Sequence, residues 1–176
     1  MGSLRLALGA VAAWEVGWWL EGKWRRRQLW KAAKAAADRR GGKLLVVGEP
    51  DGEYPCGDVT IDLRDRSVCP NYVKADVQDL SRFHDGEFAS AFASHVLEHV
   101  PDPQGALAEL HRVAEEVFVA YPYPWRLATY LVPGHCWLVT RRKNQLRFLP
   151  YGRCSTHATR YGTVLGATQP QERHSS

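Results

Sequence analysis

The stretch Lys43–Leu63, KLLVVGEPDGEYPCGDVTIDL, constrains the fold more than any other part of the chain. Two short apolar runs that read as buried strands are separated by only ten residues, Glu49 to Asp58. Parallel neighbours ordinarily need a crossover of a dozen or more residues, usually helical. Two prolines and two glycines within these ten disfavour a helix. The first two strands must therefore be joined by an abbreviated loop. Asp62, at the end of the second run, places an acid on the side where open α/β sheets bind ligands.

The pattern continues in short beats. Tyr72–Ala75 reads as a weak third strand and Phe88–Ala93 as a fourth. A helix is predicted over Pro103–Val113, with Asp102 as its cap and proline in the first turn. EEVFVAYPYP gives a fifth strand ending at Pro122. Apolar runs bounded by turn signals, with at least one clear helix between them, predict a buried parallel sheet of the α/β class. Cys136–Thr140 and Gln145–Leu149 flank a polar stretch and read as an antiparallel hairpin at the end of a mixed sheet. The domain is expected over residues 41–152, with residues 153–176 as a solvated tail.

Residues 1–40 differ in character. A 17-residue, mostly apolar run, Leu4 to Leu20, is at the lower limit for crossing a bilayer. Trp18, Trp19 and Trp24 precede Arg25–Arg27, as in an aromatic belt followed by cytoplasmic positive charge. Glu15 and Arg5 oppose that reading. Three readings stand: a single-pass anchor with the domain on the cytoplasmic face, a helix lying in the interface plane, or an apolar helix packed on a partner protein or on this domain. QLWKAAKAAADRRGG continues as a helix stopped by Gly41–Gly42. Its basic residues suit a solvated surface or, following an anchor, anionic lipid headgroups.

The net charge of +4 is concentrated there: nine Lys or Arg lie between Lys23 and Lys43, against one acid, Asp38. The rest of the chain is mildly acidic, which argues against a nucleic-acid-binding domain. The four cysteines, Cys56, Cys69, Cys136 and Cys154, show neither zinc-finger spacing nor a CxxC pair. They read as reduced thiols of a cytoplasmic domain, with a Cys56–Cys69 bridge as the alternative.

The segment Lys74–Val113, KADVQDLSRFHDGEFASAFASHVLEHVPDPQGALAELHRV, resembles the core of class I S-adenosylmethionine-dependent methyltransferases of the type 11 group. Asp76 stands at the turn after the third strand, Asp85–Phe88 leads into the fourth, Ser94–His95 closes it, and VLEHVPDP precedes the helix. The resemblance implies a reduced, doubly wound, mostly parallel sheet with S-adenosylmethionine across its carboxyl ends and an antiparallel strand closing the sheet. It further implies that Gly48 and Gly52 approach the methionine part of the cofactor and that Asp62 accepts from the ribose. Asp76 and Val77 would hold the adenine, and Ser94 and His95 would line the cofactor and face the acceptor. The glycine loop departs from the family's GxGxG, with Gly48, Gly52 and Gly57 more widely spaced.

His95 is the candidate catalytic residue, a neutral imidazole able to take a proton from an acceptor hydroxyl or amine. His99 reads as facing solvent or capping the next turn, and Glu98 as solvated surface. Tyr121–Trp125 reads as packing, an acceptor wall, or, with RLATYLVP, a membrane-facing patch. Two functions follow: a membrane-associated methyltransferase of unspecified acceptor, or a non-catalytic scaffold or accessory subunit that keeps the fold in a membrane or larger assembly.

Overall fold

The computed structural model describes residues 2–151 apart from 66 and 144. The proposed tail at 153–176 and Cys154 lie outside the described residues. The sequence from Gly2 to Arg40 forms one continuous helix, α1. It stops at Gly41, whose φ of +63° is available to glycine without a Cβ clash. Five strands follow: β1 (Leu44–Val47), β2 (Val59–Asp62), β3 (Tyr72–Lys74), β4 (Phe88–Ser94) and β5 (Ala114–Ala120). They make one sheet in the order β3-β2-β1-β4-β5, with every neighbouring pair parallel. This is the α/β parallel sheet predicted from the apolar runs.

Helix α2 (Pro103–Val113) has the predicted limits, with Asp102 Oδ1 accepting from Gly105 N at 2.9 Å. It buries Ala106, Leu110 and Val113 against Leu45, Val47, Phe88 and Ala91 of the sheet. Full burial of each large aliphatic chain contributes roughly 1.5–3 kcal/mol. A short helix, α3 (Leu127–Leu131), follows β5; its five residues are too few to show a helical period in sequence. Strands β6 (Trp137–Arg142) and β7 (Gln145–Pro150) pair antiparallel. They form a sheet of their own instead of closing the parallel one.

The opposite face of the sheet shows how the chain manages without a first crossover helix. Residues alternate across β1: Leu45 and Val47 face α2, whereas Leu44 and Val46 face α1. Ala33 and Ala37 of α1 pack there with Tyr54, Ala89, Phe92 and Ala120. The run of alanines lets the helix axis come close, and Ser90 Oγ donates to Ala33 O at 2.7 Å. Thus α1 covers the face that a crossover helix would otherwise occupy.

Two expectations are corrected here. Among the described residues no helix is long and apolar enough to cross a membrane, so the single-pass anchor is withdrawn. Its apolar run is interrupted by Glu15, which is held by the protein: it accepts from Leu127 N at 2.7 Å and lies 3.5 Å from Arg126 Nε. The three cysteines among the described residues are also not reduced. Cys56 and Cys69 form a disulfide, and Cys136 is disulfide-bonded as well. The Cys56–Cys69 bridge is the alternative left open from the sequence, and the loops that carry the two residues meet once β1 and β2 pair. Disulfides persist where thiols are oxidised, so the cysteines no longer argue for a cytoplasmic setting.

Candidate functional site

The carboxyl ends of β1, β2 and β4 meet at Gly48, Asp62 and Ser94. Gly48 has φ +94°, and a Cβ there would stand 2.9 Å from Ser94 O and from Val96 Cγ2, so only glycine fits this closely packed turn. Asp62 accepts from Glu49 N at 2.8 Å through Oδ2 and from Arg64 N at 3.0 Å through Oδ1. It thereby fastens the β1–β2 loop to the end of β2. Asp51 and Arg64 add an exposed ion pair at 2.9 Å across the same two loops. Tyr72 Oη donates to Asp62 O, and its pKa is pushed up to about 12, by burial first and then by the charge of Asp62.

Asp76 accepts from Gln78 N at 2.9 Å, the hydrogen bond of a local Asx turn. Val77 beside it is part of the core. Gly52 has φ +75° and open space where a Cβ would be. The structure therefore brings Gly48, Asp62, Ser94 and His95 to one edge of the sheet. Asp76 and Val77 follow the end of β3 at that edge.

His95 has φ +54°, and its amide donates to Ala120 O at 3.0 Å. Its Nε2 lies 2.9 Å from Arg26 Nη1 and its Nδ1 lies 3.1 Å from Glu98 Oε1. Arginine can only donate, so Nε2 accepts and the ring proton is on Nδ1; Glu98 Oε1 beside it accepts no hydrogen bond among the described residues. Arg26 also pairs with Glu53 of the β1–β2 loop, and Arg27 Nε donates to Glu53 O at 2.8 Å. Side chains of α1 thus cross the carboxyl edge beside His95. The cavity they share with Tyr121, Tyr123 and Arg126 measures only about 20 Å³.

Glu98 and His99 correct the sequence reading. Glu98 is 0 % exposed, not solvated, because the loop after β4 folds inward under β6. Cys136 N donates to Glu98 O at 2.7 Å, and Trp137 Nε1 donates to Val100 O at 2.8 Å. Burial pushes the Glu98 pKa up, but the nearby His95 and then His99 outweigh it, leaving the carboxyl below its ordinary value. His99 does not cap a turn: its Nδ1 donates to Gly134 O at 3.0 Å, and its ring meets His135 edge-on at 4.7 Å between centroids. His135 itself is buried.

The aromatic run makes packing contacts, although Trp125 is half exposed. Tyr123 stacks on Trp125 at 4.6 Å, Trp18 meets both edge-on, and Arg25 lies 4.8 Å over the Tyr123 ring. Sequence reasoning missed Arg26, Glu53, Glu49 and His135. The charge run around Arg26 and the WLV strand after His135 carried no signal of which residues they would meet.

The family model described as a methyltransferase domain matches residues 52–116, from the β1–β2 loop into β5. No curated protein matches the chain. That span and the parallel sheet support the resemblance to class I S-adenosylmethionine-dependent methyltransferases carried by the strand-four motif. The family in general binds S-adenosylmethionine.

The residues here fit its donor and acceptor groups. Asp62 offers a second lone pair on each oxygen at the place for ribose hydroxyls. Glu49 Oε2 is buried and accepts no hydrogen bond among the described residues, which suits an ammonium group at the end of β1.

Proposed function

We propose that this protein is a methyltransferase that binds S-adenosylmethionine at the carboxyl edge of its sheet and meets its acceptor at a membrane surface, where α1 lies in the interface. The cofactor, when bound, supplies an electrophilic methyl group. Asp62 would hold the ribose and Glu49 the ammonium, with Gly48 giving close backbone approach.

One observation carries the membrane part: the first half of α1 is apolar and uncovered. Leu6 is 78 % and Leu8 62 % exposed, and Val11, Trp14, Val16 and Leu20 are exposed as well. Leu127 and Leu131 of α3 extend the surface beside it. Because α1 packs on the sheet through its later residues, this first half extends past the edge that holds His95. These exposed apolar side chains stand on all sides of the helix rather than on one face; they are more than scattered exposed residues explain, and they suit an acceptor that partitions into lipid. Many of the basic residues of α1 pair within the protein, including Arg26, Lys34 and Arg40, so the apolar surface supplies most of the attachment.

A second reading is favoured by the contacts of Arg26 with His95 and Glu53 across the carboxyl edge. In it, Arg26 and Glu53 close the edge and the fold serves as a scaffold. Calorimetric titration of S-adenosylmethionine and S-adenosylhomocysteine into the full chain separates the two. Binding that is lost in Asp62→Asn, with circular dichroism unchanged, supports the enzyme; absence of binding to the wild type leaves the scaffold. Co-sedimentation with phosphatidylcholine vesicles tests the surface. Val11→Asp with Leu20→Asp should release the protein, and equal sedimentation of wild type and variant would sink the interfacial reading.

A further inference from the structure

We propose that Glu98, His99 and His135 form a binding site for one divalent transition-metal ion, with zinc the best chemical match. The three residues each present one ligand atom, and these atoms lie within 4.8 Å of one another. Two imidazoles and one carboxylate are a donor set that suits zinc in tetrahedral geometry. Three protein ligands leave a fourth position for water or for an oxygen or nitrogen of a bound molecule.

The surroundings are those of a built site. His99 Nδ1 and His135 Nδ1 each face a backbone carbonyl, Gly134 O at 3.0 Å and Thr129 O at 2.7 Å. A carbonyl only accepts, so both Nδ1 atoms carry protons and each Nε2 is the nitrogen with a lone pair to offer. This is how metal-binding imidazoles are usually oriented.

Glu98 supplies the second, independent observation. The residue is fully buried, and neither Oε1 nor Oε2 accepts a hydrogen bond among the described residues. A carboxylate left so is costly unless a cation or donor completes it. His95 Nδ1 lies 3.1 Å from Oε1 as a charge contact and leaves both oxygens available.

The segment from Gly134 to Trp137 is fixed against the loop after β4 by the bonds from Cys136 N and Trp137 Nε1. His135 is therefore set beside His99 by backbone structure, across 36 residues of sequence, and no metal is required to draw them together. The site adjoins His95 at the carboxyl edge. It stands or falls independently of whether the chain transfers methyl groups.

The test uses the full chain stripped with EDTA. Zinc chloride is titrated by calorimetry, and cobalt(II) is added separately while the visible spectrum is recorded. One equivalent of zinc should bind, and cobalt should give the strong visible absorption of a four-coordinate centre. Both His135→Ala and Glu98→Gln should lose affinity by more than the ~10–100-fold typical of removing an outer-shell partner. His111→Ala, exposed on α2, should bind as the wild type does. Zinc should also raise the thermal midpoint of the wild type and not that of His135→Ala. No uptake by folded wild type, or uptake that survives both substitutions, overturns the proposal. If His135→Ala fails to fold, His135→Asn replaces it, and retained stoichiometric uptake there overturns the proposal equally.

Discussion

Breaking the Cys56–Cys69 bridge should cost this protein a substantial share of its stability, and the size can be worked from the chain itself. The bond spans a sequence separation of 13. It ties the β1–β2 loop to the segment after β2, where a crossover helix would otherwise hold the two ends. In the loop-closure account, a constraint of that length removes about 10 cal/mol/K of unfolded-state entropy, or about 3 kcal/mol at 25 °C. For a chain of this size that corresponds to a fall in Tm of about 6–12 °C. The assay is thermal denaturation of Cys56→Ala, Cys69→Ala and the double variant beside the wild type under non-reducing conditions. Each substitution removes the same bond, so both singles and the double should lose nearly the same amount. Cys69 is buried and Cys56 only half-buried, so the Cys69 variants should lose slightly more. Losses that add in the double variant would refute the reasoning, since they would show two independent packing effects and no shared constraint.

Other consequences follow from single positions. Gly48→Ala should destabilise by about 2–5 kcal/mol, combining the cost of a left-handed backbone with overpacking against Ser94 O and Val96; chemical denaturation measures this, and a loss below about 1 kcal/mol would show that the turn relaxes. Glu109 should contribute to acid sensitivity. Arg112 Nε at 2.8 Å is the main cause of its lowered pKa, followed by burial, which opposes, and by Leu80 N. Its stabilisation is present above the ordinary value of 4.5 and lost as pH falls through the lower folded value, so Glu109→Gln should flatten the fall in Tm below pH 4.5. Parallel Tm–pH curves for variant and wild type would remove Glu109 from that role.

The places of the strands along the chain and the limits of α2 were legible in sequence because their signals are local. Asp102, Pro103 and the apolar spacing of Ala106, Leu110 and Val113 lie within a few turns of one another, and each acts on its own neighbourhood. The glycine at the end of β1 and the acid at the end of β2 were also readable, because strand ends in an α/β sheet fall on one edge whatever the details. The missing crossover helix was equally plain from ten residues rich in proline and glycine.

What replaced that helix was not readable. A run of alanines in α1 fits any close helix contact, and only the assembled sheet, with Leu44, Val46 and Phe92 on one face, selects it as the cover. The same holds for the charges. Glu15 looked like a flaw in a membrane anchor until Arg126 and Leu127 came beside it from the far side of β5. Glu98 and His99 looked like surface residues because nothing near them in sequence announces β6. Their environment is set by residues 134–137, which arrive only when the chain has passed through α2, β5 and α3. Sequence fixes the periodicity and punctuation that each segment carries within itself. Burial and partnership depend on which faces the sheet order brings together, and that is a property of the whole packed chain.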